Sequence, residues 1–234
     1  MLLYIVRHGD PNYEDDCLTP KGILQAEAVG KRIAASKIDR IFSSPMGRAK
    51  QTAEPACRLL GLEYAIENWA HEIEDERMTI DPSGVRKSIS HIQNSLLREN
   101  GNINVPYENT MQVPYMSATQ MDKACKRIWD GGVDFLERLG YKEENGVYKI
   151  LRPNEERVAL FCHSAFARAW LSMLLHIPLH IMWAGFSYCH TGVTVLEFKN
   201  YENGITAPQC LCYSDLSHFY QDGPDMMFDN RIML

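Results

Sequence analysis

The chain opens on an unbroken apolar run, Leu2-Leu3-Tyr4-Ile5-Val6, that stops at Arg7-His8-Gly9. A short run without polar alternation predicts a strand buried on both faces, here ended by a glycine turn. From Pro20 to Ala35 the apolar positions Ile23, Leu24, Ala28 and Ile33 fall at helical spacing, with Thr19 as N-cap and Pro20 at the first helical position. A second strand is expected over Ile38 to Phe42, then a helix from Ser44-Pro45 to about Leu60 closed by Gly61, then a third strand over Tyr64 to Ile66. Val158 to Cys162 repeats the opening pattern and runs into His163. An apolar helix over Ala165 to Leu175 and strands over Thr191 to Phe198 and Pro208 to Tyr213 follow.

The middle of the chain is less regular. Pro82, Gly84, Gly101, Pro106 and Pro114 break the stretch from Ile73 to about Met121 around one helical segment near Val85 to Arg98. We read it as a lid, at about 73–121, inserted into a single domain that spans residues 1–234. A helix from about Ala118 to Leu139 and a polar loop lead into the Val158 strand, and no internal repeat interrupts the chain.

Composition narrows the function. Hydrophobic residues at 45% and charged residues at 23% are ordinary globular usage. A formal charge of −6 argues against a nucleic-acid partner, which needs an extended basic surface. Seven cysteines, an odd number without paired CxxC spacing, fit reduced thiols in a cytoplasm better than a disulfide framework or a zinc site. The opening run is too short for a signal-peptide core and no apolar run approaches membrane-spanning length, so a soluble protein away from the membrane is expected.

The chemistry gathers at strand ends. Arg7 and His8 follow the first strand, Arg48 the second, Glu72 the third, and His163 the Val158 strand. Ligands of an open α/β sheet bind outside the carboxyl ends of its strands, so parallel placement would bring all five side chains to one crevice. Two arginines can fork onto phosphate oxygens, histidines can supply a nucleophile and a donor, and a glutamate can supply an acid. Cys162 is expected to be buried packing, because adjacent strand residues face opposite ways. Glu74 competes with Glu72 for the role of acid, whereas Glu74, Asp75 and Glu76 read better as a solvated acidic run. Arg77, Arg86, Lys87, Arg98 and Tyr107 in the lid are each expected to be surface residues.

Arg7-His8-Gly9, then Leu18-Thr19-Pro20-Lys21-Gly22 with Gln25-Ala26, then Ser43-Ser44-Pro45 with Arg48-Ala49 and Gln51-Thr52-Ala53, resemble the histidine phosphatase (phosphoglycerate mutase-like) superfamily. Phe161-Cys162-His163-Ser164 is similar to that family's second-histidine segment. The resemblance implies an α/β fold, a three-layer α/β/α sandwich with a mostly parallel central sheet, and no metal or other cofactor. It implies a phosphohistidine on His8, with Arg7, Arg48 and His163 holding the phosphoryl oxygens beside His8 and Glu72 as proton donor. Where the family often has a threonine and then an asparagine after its first motif, this chain has Asp10-Pro11-Asn12.

The expected activity is therefore a phosphomonoester phosphatase acting on a small phosphorylated metabolite, with Arg7 and Arg48 keeping His8 deprotonated by like-charge repulsion. A phosphoglycerate-type mutase is the nearest alternative. The arginine, histidine, tyrosine and glycine run of the glycolytic mutases is replaced here by Ile73-Glu74-Asp75-Glu76. A non-catalytic phosphate-binding module on the same fold is the other; His8 and a candidate acid argue against it. Nothing in the sequence sets an oligomeric state.

Overall fold

The computed structural model describes residues 1–222. Its centre is a six-stranded sheet built from Leu2–Arg7 (β1), Arg40–Ser43 (β2), Tyr64–Ile66 (β3), Arg157–Cys162 (β4), Val193–Glu197 (β5) and Gln209–Asp215 (β6). The strands lie in the order β6-β5-β1-β4-β2-β3. β1, β4, β2 and β3 are mutually parallel, and on the far side of β1 lies β5, antiparallel to it, followed by β6, which is antiparallel to β5 and so runs with β1.

Alternation along the buried strands sorts the core into two layers. Leu3 and Ile5 of β1, with Val158, Leu160 and Cys162 of β4, pack into the larger cluster with Met121–Arg138 (α3) and Ser164–Leu174 (α4). Tyr4, Val6, Ala159 and Phe161 face the opposite way, onto Val29 and Ile33 of one helix and Ala53 and Ala56 of another. In chain order the helices are Pro20–Ala35 (α1), Gly47–Leu60 (α2), α3, α4, Leu179–Gly185 (α5) and His218–Asp222 (α6). The sheet between two helical layers is the sandwich expected from the sequence. No described helix is long and apolar enough to cross a membrane.

Local sequence explains most boundaries. Thr19 caps α1 by accepting from Gly22 N at 3.0 Å, with Pro20 at its start. Gly61 takes the left-handed conformation (φ 66°) that ends α2. α2 begins at Gly47 rather than at Ser44-Pro45, because the Ser44 hydroxyl is turned toward His163 and also accepts from Met46 N.

Two further expectations change, and one helix was not expected. The helical segment near Val85 to Arg98 is instead the strand Arg86–Ser88, paired with Met78–Ile80, followed by the 3₁₀ turns Ile89–His91 and Asn94–Leu97. Buried Ile89 and Ile92 are three residues apart, the repeat of a 3₁₀ turn. The polar loop after α3 is a hairpin, Tyr141–Glu144 with Val147–Ile150, extended by Ile205–Thr206. Helix α5, which no sequence signal announced, anchors the irregular segment. Buried His180 donates through Nε2 to Asn102 O at 2.9 Å, and its Nδ1 lies 2.9 Å from the Thr110 hydroxyl.

Candidate active site

β1 ends at Arg7, and His8 is locked in place immediately beyond it. His8 N donates to Cys162 O at 3.0 Å, and Thr191 N donates to His8 O at 3.2 Å. The His8 Nδ1 sits 2.6 Å from Gly9 O. A carbonyl only accepts, so Nδ1 carries the proton and Nε2 keeps its lone pair. The ring is 1% exposed, and its pKa lies well below the ordinary 6.5. Burial is the largest cause; the charge of Arg7, then His163 and Arg48, adds to it. Like-charge repulsion, expected to be the reason, is thus second to desolvation.

The loop after His8 is tied down by the residues that carried the family resemblance. Gly9 N donates to Thr52 Oγ1 at 3.0 Å, Asp10 N to Gln25 Oε1 at 2.7 Å, and Leu18 N to Gln51 Oε1 at 2.7 Å. A Cβ on Gly22 would lie 2.1 Å from Asp10 O, and one on Gly9 2.6 Å from Gly22 O, so two backbones meet where only glycine fits.

The arginines come from opposite sides. One terminal nitrogen of Arg7 donates to Tyr188 O, the other lies 2.8 Å from His190 Nε2, and its buried Nε has no partner. Arg48, 3% exposed, pairs with Asp16 through one terminal nitrogen and touches Met46 Sδ at 3.4 Å through the other. Its Nε is likewise buried and unpartnered. His163 stands with its ring centroid 5.2 Å from that of His8. Its Nε2 lies 2.7 Å from Ser44 Oγ, which already accepts from Met46 N and has its own proton to give. The other ring nitrogen, Nδ1, is buried without a partner. Desolvation, with Arg48 and Arg7 behind it, holds His163 well below its ordinary pKa.

Glu72 is buried, whereas Glu74 is exposed. The Glu72 carboxylate accepts from Ile73 N (2.9 Å), Phe166 N (2.9 Å) and Ala165 N (3.2 Å), and Arg77 approaches to 3.8 Å. The N-terminus of α4, a place that favours an anion, is therefore occupied by this side chain. The same contacts put Glu72 beside His163, the residue that precedes α4. Cys162 is fully buried and desolvation pushes its thiol up, as packing rather than chemistry requires.

The five sequence-derived residues lie close together: His8 beside His163, Glu72 on the two residues after Ser164, and both arginines near enough to act on the two rings. Arg7 Nε, Arg48 Nε and His163 Nδ1 are buried without partners on residues whose side chains act on the neutral His8 imidazole, a set suited to a tetrahedral oxyanion. Two residues were missed. His190 precedes β5, whose antiparallel course brings its N-terminal end to the carboxyl end of β1. Arg168, 8% exposed, lies one turn into α4, bonds Ser164 O at 3.3 Å and stacks on Trp183 at 4.5 Å. Its spacing five residues after His163 was the available signal.

The sheet order, its one antiparallel strand β5 and the site at the β1, β4 and β2 ends define an α/β fold of the phosphoglycerate mutase-like class. A phosphoserine phosphatase variant of Entamoeba histolytica, solved with phosphoserine, shares it at TM-score 0.60 and 20% identity over 93% of this chain and 98% of that one. A mycobacterial glucosyl-3-phosphoglycerate phosphatase does so at 0.59 and 17%, over 91% and 98%. The model of the histidine phosphatase superfamily (branch 1) matches residues 3–89, so the chain is similar to that superfamily over its first third. A Salmonella choleraesuis protein named "Probable phosphoglycerate mutase" is 33% identical over 81 residues, 31% of this chain and 38% of that relative. The chain thus spans about two fifths of the length of the curated relatives it matches.

Proposed function

We propose that this protein is a phosphomonoester phosphatase that forms a phosphohistidine on Nε2 of His8. The observation that carries the reading is the His8 tautomer. Nδ1 bonded to Gly9 O leaves a neutral nucleophile among three buried, unpartnered groups able to hold phosphoryl oxygens.

In the first half-reaction the Nε2 lone pair attacks phosphorus in line, the bond from phosphorus to the ester oxygen breaks, and Glu72, which takes up a proton when the phosphate dianion binds beside it, gives that proton to the ester oxygen. In the second, water attacks phosphorus, the N–P bond breaks, and the Glu72 carboxylate takes the proton from the water. Arg7, Arg48 and His163 bear the charge on the equatorial oxygens in both; positioning and electrostatics supply most of the rate. The segment 73–121 serves as the cover of the site and sets selectivity for a small phosphorylated metabolite. The protein works as a single domain, without metal, and in the cytoplasm, where its seven thiols stay reduced.

The test is rapid quenching with a labelled phosphomonoester. Wild type should carry acid-labile, base-stable phosphate, and His8→Ala should carry none; label and turnover persisting in His8→Ala would refute the assignment. Phosphoserine and 3-phosphoglycerate, ligands in the solved Entamoeba histolytica structures, are the first substrates to screen. A mutase is the second reading, supported by the relative of that name. It predicts an isomeric phosphoester where a phosphatase releases inorganic phosphate.

A further inference from the structure

Arg7 has five N–H donors, and where they go decides what it can do. A guanidinium only donates, so His190 Nε2, 2.8 Å from an Arg7 terminal nitrogen, is the acceptor and the His190 proton is on Nδ1. That nitrogen faces Asp10 Oδ1 at 3.7 Å, and the other Asp10 oxygen accepts from Thr19 Oγ1 at 2.6 Å. A polar line thus runs from the N-cap of α1 through Asp10 and His190 to the guanidinium. It ends beside the nucleophile, with the rings of His190 and His8 5.7 Å apart.

The backbone is held to suit. Thr191 adopts φ 54°, a left-handed conformation that a β-branched residue takes only under constraint, at a cost of about 1–3 kcal/mol. Its N–H bonds His8 O and its hydroxyl bonds His190 O at 2.7 Å, so the constraint sits between the two histidines. A histidine also suits the place chemically. A carboxylate there would neutralise Arg7, whereas a neutral imidazole fixes its orientation and leaves its charge for the substrate. Burial and the Arg7 charge keep the ring neutral, with Asp10 pulling the other way and Lys21 adding to Arg7.

We infer that His190 is a positioning residue for phosphoryl transfer: it accepts one Arg7 donor so that the Nε edge is left for the phosphoryl oxygens, while Asp10 selects the imidazole tautomer able to accept. This rests on the proposal that Arg7 binds the phosphoryl group, and the experiment separates the two. Inorganic phosphate binding by calorimetry and nitrophenyl phosphate turnover are measured on the full chain for wild type, Arg7→Ala, His190→Ala and His190→Gln. Arg7→Ala should lose phosphate binding; wild-type affinity there would overturn the underlying reading, and the inference with it. His190→Ala should weaken phosphate and lower kcat about 10- to 100-fold, the scale of a misaimed group. His190→Gln, whose amide oxygen can accept from Arg7, should recover most of the loss. Wild-type affinity in His190→Ala, or equal defects in both variants, would overturn the inference. A measurement independent of folding variants is ¹⁵N NMR of the wild type at pH 7: the His190 proton should be on Nδ1, and a proton on Nε2 refutes the arrangement.

Discussion

Acidification from pH 7 to pH 5 should destabilise the protein steeply, through the histidines of the site. His8 and His163 lie well below the ordinary imidazole pKa of 6.5, chiefly through burial, and His190 is held down to about 3 by burial and Arg7. An unfolded chain protonates each near 6.5, whereas the folded one does not. Between the depressed and ordinary values the unfolded state therefore binds more protons, and stability falls as pH falls. Each such group contributes about 1.4 kcal/mol per pH unit once its unfolded form is mostly protonated. Three give roughly 4 kcal/mol per unit below about pH 6, a large part of the 5–15 kcal/mol by which domains are stable. Buried His180, also lowered by burial, adds in the same direction. The carboxylates with lowered pKa, Asp81 and Asp215, lose their contribution only below about 3.8 and leave this window clear. Urea unfolding at pH 7, 6, 5.5 and 5 measures the slope, and His190→Gln should reduce it by about a third of the three-histidine value. A free energy of unfolding that stays flat from pH 7 to pH 5 would refute the reasoning.

Glu72→Gln should slow alkyl phosphate hydrolysis by roughly 10²–10⁴-fold while largely sparing nitrophenyl phosphate, whose leaving group needs no proton; exposed Glu74→Gln should do neither. Steady-state kinetics on both esters decide it, and equal losses would make Glu72 a structural cap of α4. Arg48→Lys should cost about 10²–10³ in kcat/KM, because a point charge cannot keep both Asp16 and the phosphoryl oxygen; near-full activity counts against direct contact. Gly22→Ala should destabilise by roughly 1–3 kcal/mol in urea melts, since the new Cβ would sit 2.1 Å from Asp10 O, and an unchanged midpoint would show that the loop yields freely.

How much of the fold was legible follows from what each element needs. β1 and β4 announced themselves because burial on both faces demands an uninterrupted apolar run, and α1 because Thr19-Pro20 is a start signal independent of packing. The segment after Glu72 was misread at Val85 to Arg98, where buried Ile89, Ile92 and Leu97 are satisfied by 3₁₀ turns against α5, a tertiary partner no local pattern supplies. The Tyr141–Ile150 hairpin did carry a signal: Asn145 and Gly146 both take positive φ (53° and 87°), the conformation that an Asn-Gly pair between strands favours.

The site divides along a similar line. Arg7, His8, Arg48, Glu72 and His163 were found because each follows a parallel strand, and the rule that ligands sit at carboxyl ends reaches all of them. His190 escaped the same rule because β5 runs antiparallel to β1, so the crevice receives the start of that strand. The rule should thus be applied to the edge of the sheet rather than to the strand ends of one polarity. It would then have flagged His190-Thr191-Gly192 ahead of Val193. The residues that made the family recognisable do different work again. Gln25, Gln51, Thr52 and the glycines at 9 and 22 fix the backbone of the loop after His8. Among those motifs Arg7, His8, Arg48 and His163 are the residues proposed to meet a phosphate, and the rest is mostly the scaffold that holds the His8 imidazole in one tautomer.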